Sequence, residues 1–202
     1  MERNHDSNRA EQSPEHYGEA SEPRRYHPRL YITDVASQAR GIDFGLWIDA
    51  NQSPEELDAD IAAMLASSPT IGAADWAVRN AEDFAGLTVP EAADTAYLSR
   101  LGSGVARYGE AFAAYVSWCD PTTEQLEKFA DYFVGTYRSL EAWGLAAVTE
   151  MGWPEQLRQN LDAELVRYLR IDYAAWARDA IANPTGNLHA TEGEDGIHVF
   201  RD

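Results

Sequence analysis

The chain has 202 residues, and its 34 acidic against 16 basic side chains give a formal charge of −18 at pH 7. Such an acidic chain is repelled by the phosphates of nucleic acids and of anionic membranes, which argues against direct binding to either. Because Cys119 is the single cysteine, an internal disulfide framework and a cysteine-based metal knuckle are excluded.

The first segment, residues 1–27, predicts a flexible tail, because it is rich in Ser, Pro, Glu, Asn and Arg and has no apolar period. It also lacks the apolar region of a signal peptide, and no later stretch is long enough to span a bilayer. We therefore expect a cytoplasmic protein whose fold starts at Pro28.

The next part, residues 28–89, predicts a small N-terminal domain made of a sheet and one helix. The strands are expected at Arg29–Val35, Ile42–Ile48 and Trp76–Arg79. Before the third strand, Ser53–Glu56 reads as a capping box with Pro at the first helical position, and an apolar stripe at helical spacing follows over Leu57–Leu65.

From Pro90 the apolar period is helical. The pattern predicts a central helical domain over residues 90–131. Its first helix is expected to end before Gly102 and Gly104 and its second to follow them, and a third helix, capped at Asp120–Thr123, is expected to continue beyond the domain to Phe133. Residues 132–202 predict a C-terminal α+β domain. Its helices are expected at Ser139–Glu150, Leu157–Leu169 and Tyr173–Ile181, and a hairpin with strands at 186–191 and 197–200 ends the chain. The predicted fold class is α+β.

No catalytic motif emerges, since the phosphate-binding, dinucleotide-binding, serine-hydrolase, zinc-protease and calcium-loop patterns are all absent. We expect His189 and His198 to face each other across the hairpin, an arrangement that is more often structural than metal-binding. Cys119 lacks a nucleophile signature and is interpreted as buried filler. We therefore expect no enzymatic activity, no metal and no cofactor; an enzyme with an acidic cleft is the alternative.

The acids are concentrated in the first two-thirds of the body. Residues 30–131 hold 17 acids and 5 bases, against 11 acids and 6 bases in residues 132–202. A helix with an acid every three or four residues carries roughly one charge per 5 Å, and two or three such elements side by side approach the charge density of duplex DNA. Mimicry of DNA is therefore feasible. An acidic surface that serves only solubility, or adaptation to high salt, would explain the same composition.

The body from Arg29 to Phe200 resembles the ArdA antirestriction proteins of plasmids, conjugative transposons and phages. The resemblance depends on several short segments in a fixed order and spacing, namely Arg29–Val35, Gly45–Asp49, Asp75–Val78, Glu82–Phe84, Ile171–Asp179 and Gly196–Phe200. The sequence departs from the family pattern at Arg79–Ala81, where a His-Asp-Tyr run is typical, so one acid is replaced and a base is gained.

This resemblance implies an elongated, curved chain in three parts that forms a homodimer and whose surface acids imitate the phosphates of bent B-form DNA. The implied target is a type I restriction-modification enzyme, at the channel where its specificity and methyltransferase subunits grip DNA. Such an inhibitor is not a catalyst and needs no cofactor. An alternative is a DNA mimic directed at a different protein, such as a nucleoid protein or another nuclease.

The resemblance also supplies candidate partner-binding acids. Those on the matched segments or directly beside them are Asp34, Asp43, Asp49, Asp75, Glu82 and Asp83. Positions on predicted helix faces add Glu55, Glu56, Asp58, Asp60, Glu91, Asp94, Glu110, Asp120, Glu124, Glu127 and Asp131. For the dimer contact we select Asp172, Tyr173, Trp176 and Val199, because an amphipathic helix beside an edge strand is a common surface for self-association.

Overall fold

The computed structural model describes residues 24–201. Two three-stranded antiparallel sheets with helices packed around them confirm the predicted α+β class. Most of the predicted tail lies outside the described residues, but its last four residues, 24–27, do not behave as a tail. The side chain of Tyr26 is only 5% exposed and belongs to the main core, so the packed chain begins before Pro28.

The N-terminal part contains the first sheet and the predicted capped helix. Its elements are β1 (Arg29–Asp34), α1 (Val35–Gln38), β2 (Gly45–Asp49), α2 (Pro54–Ala66) and β3 (Trp76–Glu82). The strand order is β2-β1-β3, and the central strand β1 buries Leu30 and Ile32 completely. The predicted first strand ran one residue too far, because the side chain of Asp34 caps α1 and turns Val35 into a helical residue.

Four helices follow: α3 (Thr95–Tyr108), α4 (Glu110–Cys119), α5 (Thr123–Glu127) and α6 (Phe129–Tyr132). The predicted break near Gly102 and Gly104 is wrong, since α3 continues through both and ends at Gly109, whose φ is 57°. These two helical glycines instead allow close packing. A Cβ on Gly102 would lie 2.2 Å from the carbonyl oxygen of Ala50, and one on Gly104 would lie 2.1 Å from the ring of Phe112.

The C-terminal part contains the second sheet. Its elements are β4 (Phe133–Tyr137), α7 (Leu140–Glu150), α8 (Trp153–Asn160), α9 (Ala163–Val166), α10 (Tyr173–Ala182), β5 (Leu188–Gly193) and β6 (Gly196–Arg201). Strand β4 was not predicted, because Phe133 was assigned to a helix. The predicted helix at Leu157–Leu169 is two short helices, since the side chain of Asp162 caps a new helix at α9.

Strand β6 connects the two apolar cores of the molecule. The strand order of the second sheet is β4-β6-β5, so β6 is its central strand. Phe200 packs into the main core with Phe112 and Phe129, whereas Val199 packs into a smaller core with Trp143 and Ala177. Adjacent residues of a strand point to opposite faces, and β6 therefore contributes to the cohesion of both cores.

We expect Gly102→Ala to destabilise the fold even though alanine is the better helix former by roughly 1 kcal/mol. The new methyl group would collide with the backbone carbonyl of Ala50, which cannot rotate away as a side chain can. Overpacking of this kind costs typically about 1–3 kcal/mol, and urea unfolding would measure the loss. The control is Ser103→Ala on the same helix, and an equal effect of the two changes would contradict the steric explanation.

Candidate acidic binding surface

Fourteen of the seventeen candidate acids between residues 30 and 131 are exposed, and three are not. The exposed acids are Asp43, Asp49, Glu55, Glu56, Asp58, Asp60, Asp75, Glu82, Glu91, Asp94, Asp120, Glu124, Glu127 and Asp131. The other three, Asp34, Asp83 and Glu110, have structural roles that the sequence did not reveal.

Asp34 is a buried structural acid, with no exposed surface, so its assignment to the binding surface was wrong. Its carboxylate accepts hydrogen bonds from the hydroxyls of Ser37 at 2.6 Å and Ser68 at 2.5 Å, and from the backbone N–H of Ala36 at 2.9 Å. The hydrogen bonds from Ser37 and Ser68 lower the pKa of this carboxyl. Asp34 therefore joins the end of β1 to the loop that follows α2.

Asp83 is partly buried and holds the beginning of the described chain. Its side chain is 26% exposed, and its two oxygens accept from the guanidinium of Arg24 at 3.0 Å and from the backbone N–H of His27 at 2.6 Å. The residue adopts a left-handed backbone conformation with φ of 61°. Because both oxygens are engaged, we assign Asp83 to structure and not to the binding surface.

Glu110 is likewise a structural acid, with a side chain that is 17% exposed. One carboxylate oxygen accepts the backbone N–H groups of Glu194 at 2.7 Å and Asp195 at 3.3 Å, both in the turn between β5 and β6. The other oxygen accepts from the hydroxyl of Tyr26 at 3.4 Å. These contacts correct its assignment as a binding acid.

Four of the exposed acids form ion pairs on the surface. The pairs are Glu82–Arg29 at 2.6 Å, Glu91–Arg79 at 2.8 Å, Glu124–Lys128 at 2.6 Å and Glu127–Arg100 at 2.7 Å. Exposed pairs of this kind contribute about 0–1 kcal/mol and are readily exchanged for other partners. These carboxylates are therefore accessible to an external base, although each is partly neutralised.

The other ten exposed acids form no ion pair with any residue in the range 24–201. Six of them lie between residues 43 and 60, on β2, α2 and the segment before β2. On α2, the apolar stripe of Leu57, Ile61 and Met64 is buried. At 100° per residue, Glu55 lies opposite that stripe, Glu56 and Asp60 share one flank, and Asp58 lies on the other flank. Carboxylates therefore occupy the outer side and both flanks of the first half of this helix, whereas the second half exposes alanines.

Local hydrogen bonds fix the position of several of these acids. Glu56 completes the capping box with Ser53. The hydrogen bonds that Ser53 donates to the Glu56 carboxylate lower the pKa of Glu56. Asp94 caps α3 by accepting from the N–H of Tyr97 at 2.7 Å, and Asp49 accepts from the N–H of Asn51 at 2.8 Å. A carboxylate that caps a helix loses little further freedom on binding a partner, which reduces the entropic cost of association.

The predicted dimer residues are largely engaged within the chain. Asp172 caps α10 by accepting from the N–H of Ala175 at 2.8 Å, and Trp176 packs against Trp143, with ring centroids 5.6 Å apart. The backbone of Tyr173 lies against Gly144. Val199 is completely buried on the central strand β6, so the premise of an exposed edge strand was wrong.

A different part of the C-terminal region exposes large apolar side chains. We define the α7–α9 apolar surface as Leu145, Met151, Trp153, Leu161, Leu165, Tyr168 and Leu169, which are between 38% and 77% exposed. Neither α8 nor α9 buries any residue. No sequence signal indicated this surface, because an apolar period gives the side of a helix that is apolar but not whether that side is buried.

The histidine and cysteine expectations also need correction. His189 pairs with Phe200 and His198 with Thr191 in the hairpin register, so the two histidines do not face each other. Cys119 is exposed and not buried, and its thiol donates to the carbonyl oxygen of Tyr115. Within residues 24–201 no group of three metal-ligating side chains converges, and no helix is long and apolar enough to cross a membrane.

Comparison with known proteins identifies one family. The family model described as antirestriction protein (ArdA) matches residues 30–193, a span that includes all the candidate acids. Among curated proteins, no significant match is found.

We expect Asp34→Asn to lower the thermal unfolding midpoint by several degrees, because an amide cannot accept all the hydrogen bonds that the carboxylate accepts. The pKa of Asp34 is lowered in the folded state. The contribution of this carboxylate to the free energy of unfolding is therefore present above about pH 4, the ordinary pKa of Asp, and is lost on acidification. The wild type should therefore lose more stability than the variant between pH 7 and pH 3. Asp58→Asn, at an exposed position, is the control; equal midpoints for both variants would contradict the structural role.

Proposed function

The chain belongs to the ArdA family of antirestriction proteins, and we propose that it inhibits type I restriction-modification enzymes by acting as a mimic of bent B-form DNA. The observation that supports this proposal is the array of fourteen exposed carboxylates between residues 43 and 131. In this proposal the acids occupy the channel in which the specificity and methyltransferase subunits otherwise hold DNA. Inhibition of this kind requires that the protein binds the enzyme, but no chemical reaction.

Carboxylates can replace phosphates in such a channel because both present anionic oxygens to Lys and Arg side chains. Residues 30–131 carry 17 acids against 5 bases, and ten of the exposed acids have no cationic partner within the described chain. A basic channel would supply those partners. The energy would be distributed over many contacts, each of about 0.2–1 kcal/mol at an exposed site.

We propose further that the α7–α9 apolar surface is the contact between two copies of the chain. Two molecules of charge −18 repel each other, so the least costly contact is the one that brings the fewest like charges together. Residues 145–171, which span this surface, hold four acids and three bases, in contrast to the acidic N-terminal part. This region therefore combines a nearly balanced local charge with exposed apolar side chains, the two properties that self-association needs.

Neutralising several unpaired acids together should weaken inhibition far more than any single change. We choose Asp43→Asn, Asp49→Asn, Glu55→Gln, Asp58→Asn and Asp60→Asn, all exposed and without an ion pair in the described chain. At about 0.2–1 kcal/mol each, a single change weakens binding up to roughly fivefold, and the five together weaken it from about fivefold to more than a thousandfold. The measurement is displacement of labelled duplex from a type I enzyme at two salt concentrations.

A charge-matched control separates a specific array from net charge alone. It neutralises five exposed acids outside both the array and the α7–α9 apolar surface, namely Glu141, Asp179, Glu192, Glu194 and Asp195. Equal loss of inhibition in both variants would contradict the proposed array. Wild-type protein that displaces DNA from a nucleoid protein or another nuclease, but not from the type I enzyme, would favour the alternative target.

The dimer contact is tested separately by placing a charge on the apolar surface. Leu165 is 59% exposed on the α7–α9 apolar surface. We expect Leu165→Asp to raise the dimer dissociation constant at least about tenfold, because an unpaired charge would be buried in the contact. Analytical ultracentrifugation would measure it. Ile71→Asp, at a residue that is 97% exposed elsewhere, is the matched control; a wild type that stays monomeric would refute the contact.

A further inference from the structure

The buried imidazole of His198 has one nitrogen without a hydrogen-bond partner in the described chain. The side chain is 2% exposed, and its Nδ1 lies 2.9 Å from the hydroxyl of Thr136 on the neighbouring strand β4. Its Nε2 forms no hydrogen bond. A buried polar atom left in this state costs stability and calls for an explanation.

The group that faces this nitrogen is the carboxylate of Glu110. Oε2 of Glu110 lies 4.0 Å from Nε2 of His198, beyond hydrogen-bond distance but close enough for a strong Coulombic effect. A bare nitrogen lone pair directed at a carboxylate would be repelled. The neutral ring is therefore favoured with its proton on Nε2, while the hydroxyl of Thr136 donates to Nδ1.

The same carboxylate holds two other segments of the chain to α4. Glu110 is the first residue of α4, and it accepts from the turn at Glu194 and Asp195 and from the hydroxyl of Tyr26. Gly193 permits this close approach. A Cβ there would lie 2.5 Å from Nε2 of His198 and 2.7 Å from Oε2 of Glu110.

We propose that Glu110 is a positioning residue that holds the β5–β6 hairpin on α4, and that protonation of His198 releases the hairpin turn at acidic pH. Because β6 contributes to both cores, the turn helps to set the C-terminal sheet against the acid-bearing part of the molecule. This inference goes beyond the proposed function and does not depend on the identity of the target.

The charges around His198 determine the sign of the pH effect. Glu110 from α4 and Asp195 from the hairpin turn favour the imidazolium, whereas Thr136 and Thr191 on the flanking strands are neutral. Tyr26, beside Glu110, has a raised pKa because it is buried, so it remains neutral in this range. Burial outweighs the two acids and lowers the pKa of His198 below its ordinary value of about 6.5.

It follows that the folded state binds a proton at His198 less readily than the unfolded chain does. A lowered histidine pKa gives stability that is complete above about pH 6.5 and is lost progressively as the pH falls through the folded-state value. The hairpin turn is exposed, and its hydrogen bonds to Glu110 are few. If the turn detaches from Glu110, water can reach the protonated imidazole of His198 without unfolding of the rest of the chain.

The test uses NMR of the full chain to follow two sets of signals. Hydrogen exchange of the Glu194 and Asp195 amides reports the hairpin contact, and the imidazole signals report the titration of His198. In the wild type, we expect protection of these two amides to fall about tenfold between pH 7.5 and pH 5, after correction for the intrinsic exchange rate. The Ile32 amide in the first sheet should stay unchanged.

Glu110→Gln should reduce protection of the two turn amides about tenfold at pH 7.5 and lower the pKa of His198 further, because it removes the facing negative charge. Glu192→Gln removes the same charge from an exposed site in the same hairpin and serves as the control. His198→Gln should abolish the pH dependence of the turn amides.

Equal protection and equal imidazole titration in Glu110→Gln and Glu192→Gln would overturn the positioning role. A wild-type profile without an inflection in the histidine range, or one that persists in His198→Gln, would overturn the pH dependence. The wild-type profile needs no variant, so it decides the pH dependence even if Glu110→Gln fails to fold. None of these measurements involves a restriction enzyme, so their outcome is independent of the inhibition experiment.

Discussion

Like-charge repulsion is the constraint that the N-terminal part of this molecule must withstand. At physiological ionic strength the Debye length is about 8 Å, so mainly neighbouring carboxylates repel each other, such as Glu56 and Asp60 one turn apart on α2. Two features offset this cost locally: acids in the first turn of a helix interact favourably with its dipole, and Glu56 completes a capping box. Burial of the apolar stripe on the opposite side of α2 offsets the remaining repulsion.

That cohesion extends through β6 to the far end of the chain. Phe200 packs among the aromatic residues of α4 and α6, whereas Val199 packs under α7 and α10. A strand shared in this way transmits a change in one core to the other, because packed side chains leave little free volume. The hairpin turn at its start is held by Glu110, an acid that looks in the sequence like any other.

Sequence patterns predicted the elements whose signals are local. The capping box at Ser53–Glu56 correctly marked the start of α2. Strand β4 was missed because its pairing with β6 joins residues more than sixty positions apart, such as Thr136 and His198, and no local period reveals it. The burial of Asp34 was missed for a similar reason, since Ser68 lies 34 positions along the chain. A capping acid has the same sequence signature whether it is exposed or buried.

The separation of charge from apolar surface has a consequence for the proposed inhibitor. The ten unpaired candidate acids lie between residues 43 and 131, whereas the α7–α9 apolar surface lies in a segment with four acids and three bases. Self-association there would involve none of the ten candidate acids and would bring little net charge to the contact. Two arrays joined in one particle also bind a long basic channel with a higher effective concentration than two separate molecules. The proposed dimer and the proposed mimicry therefore support each other without sharing a residue.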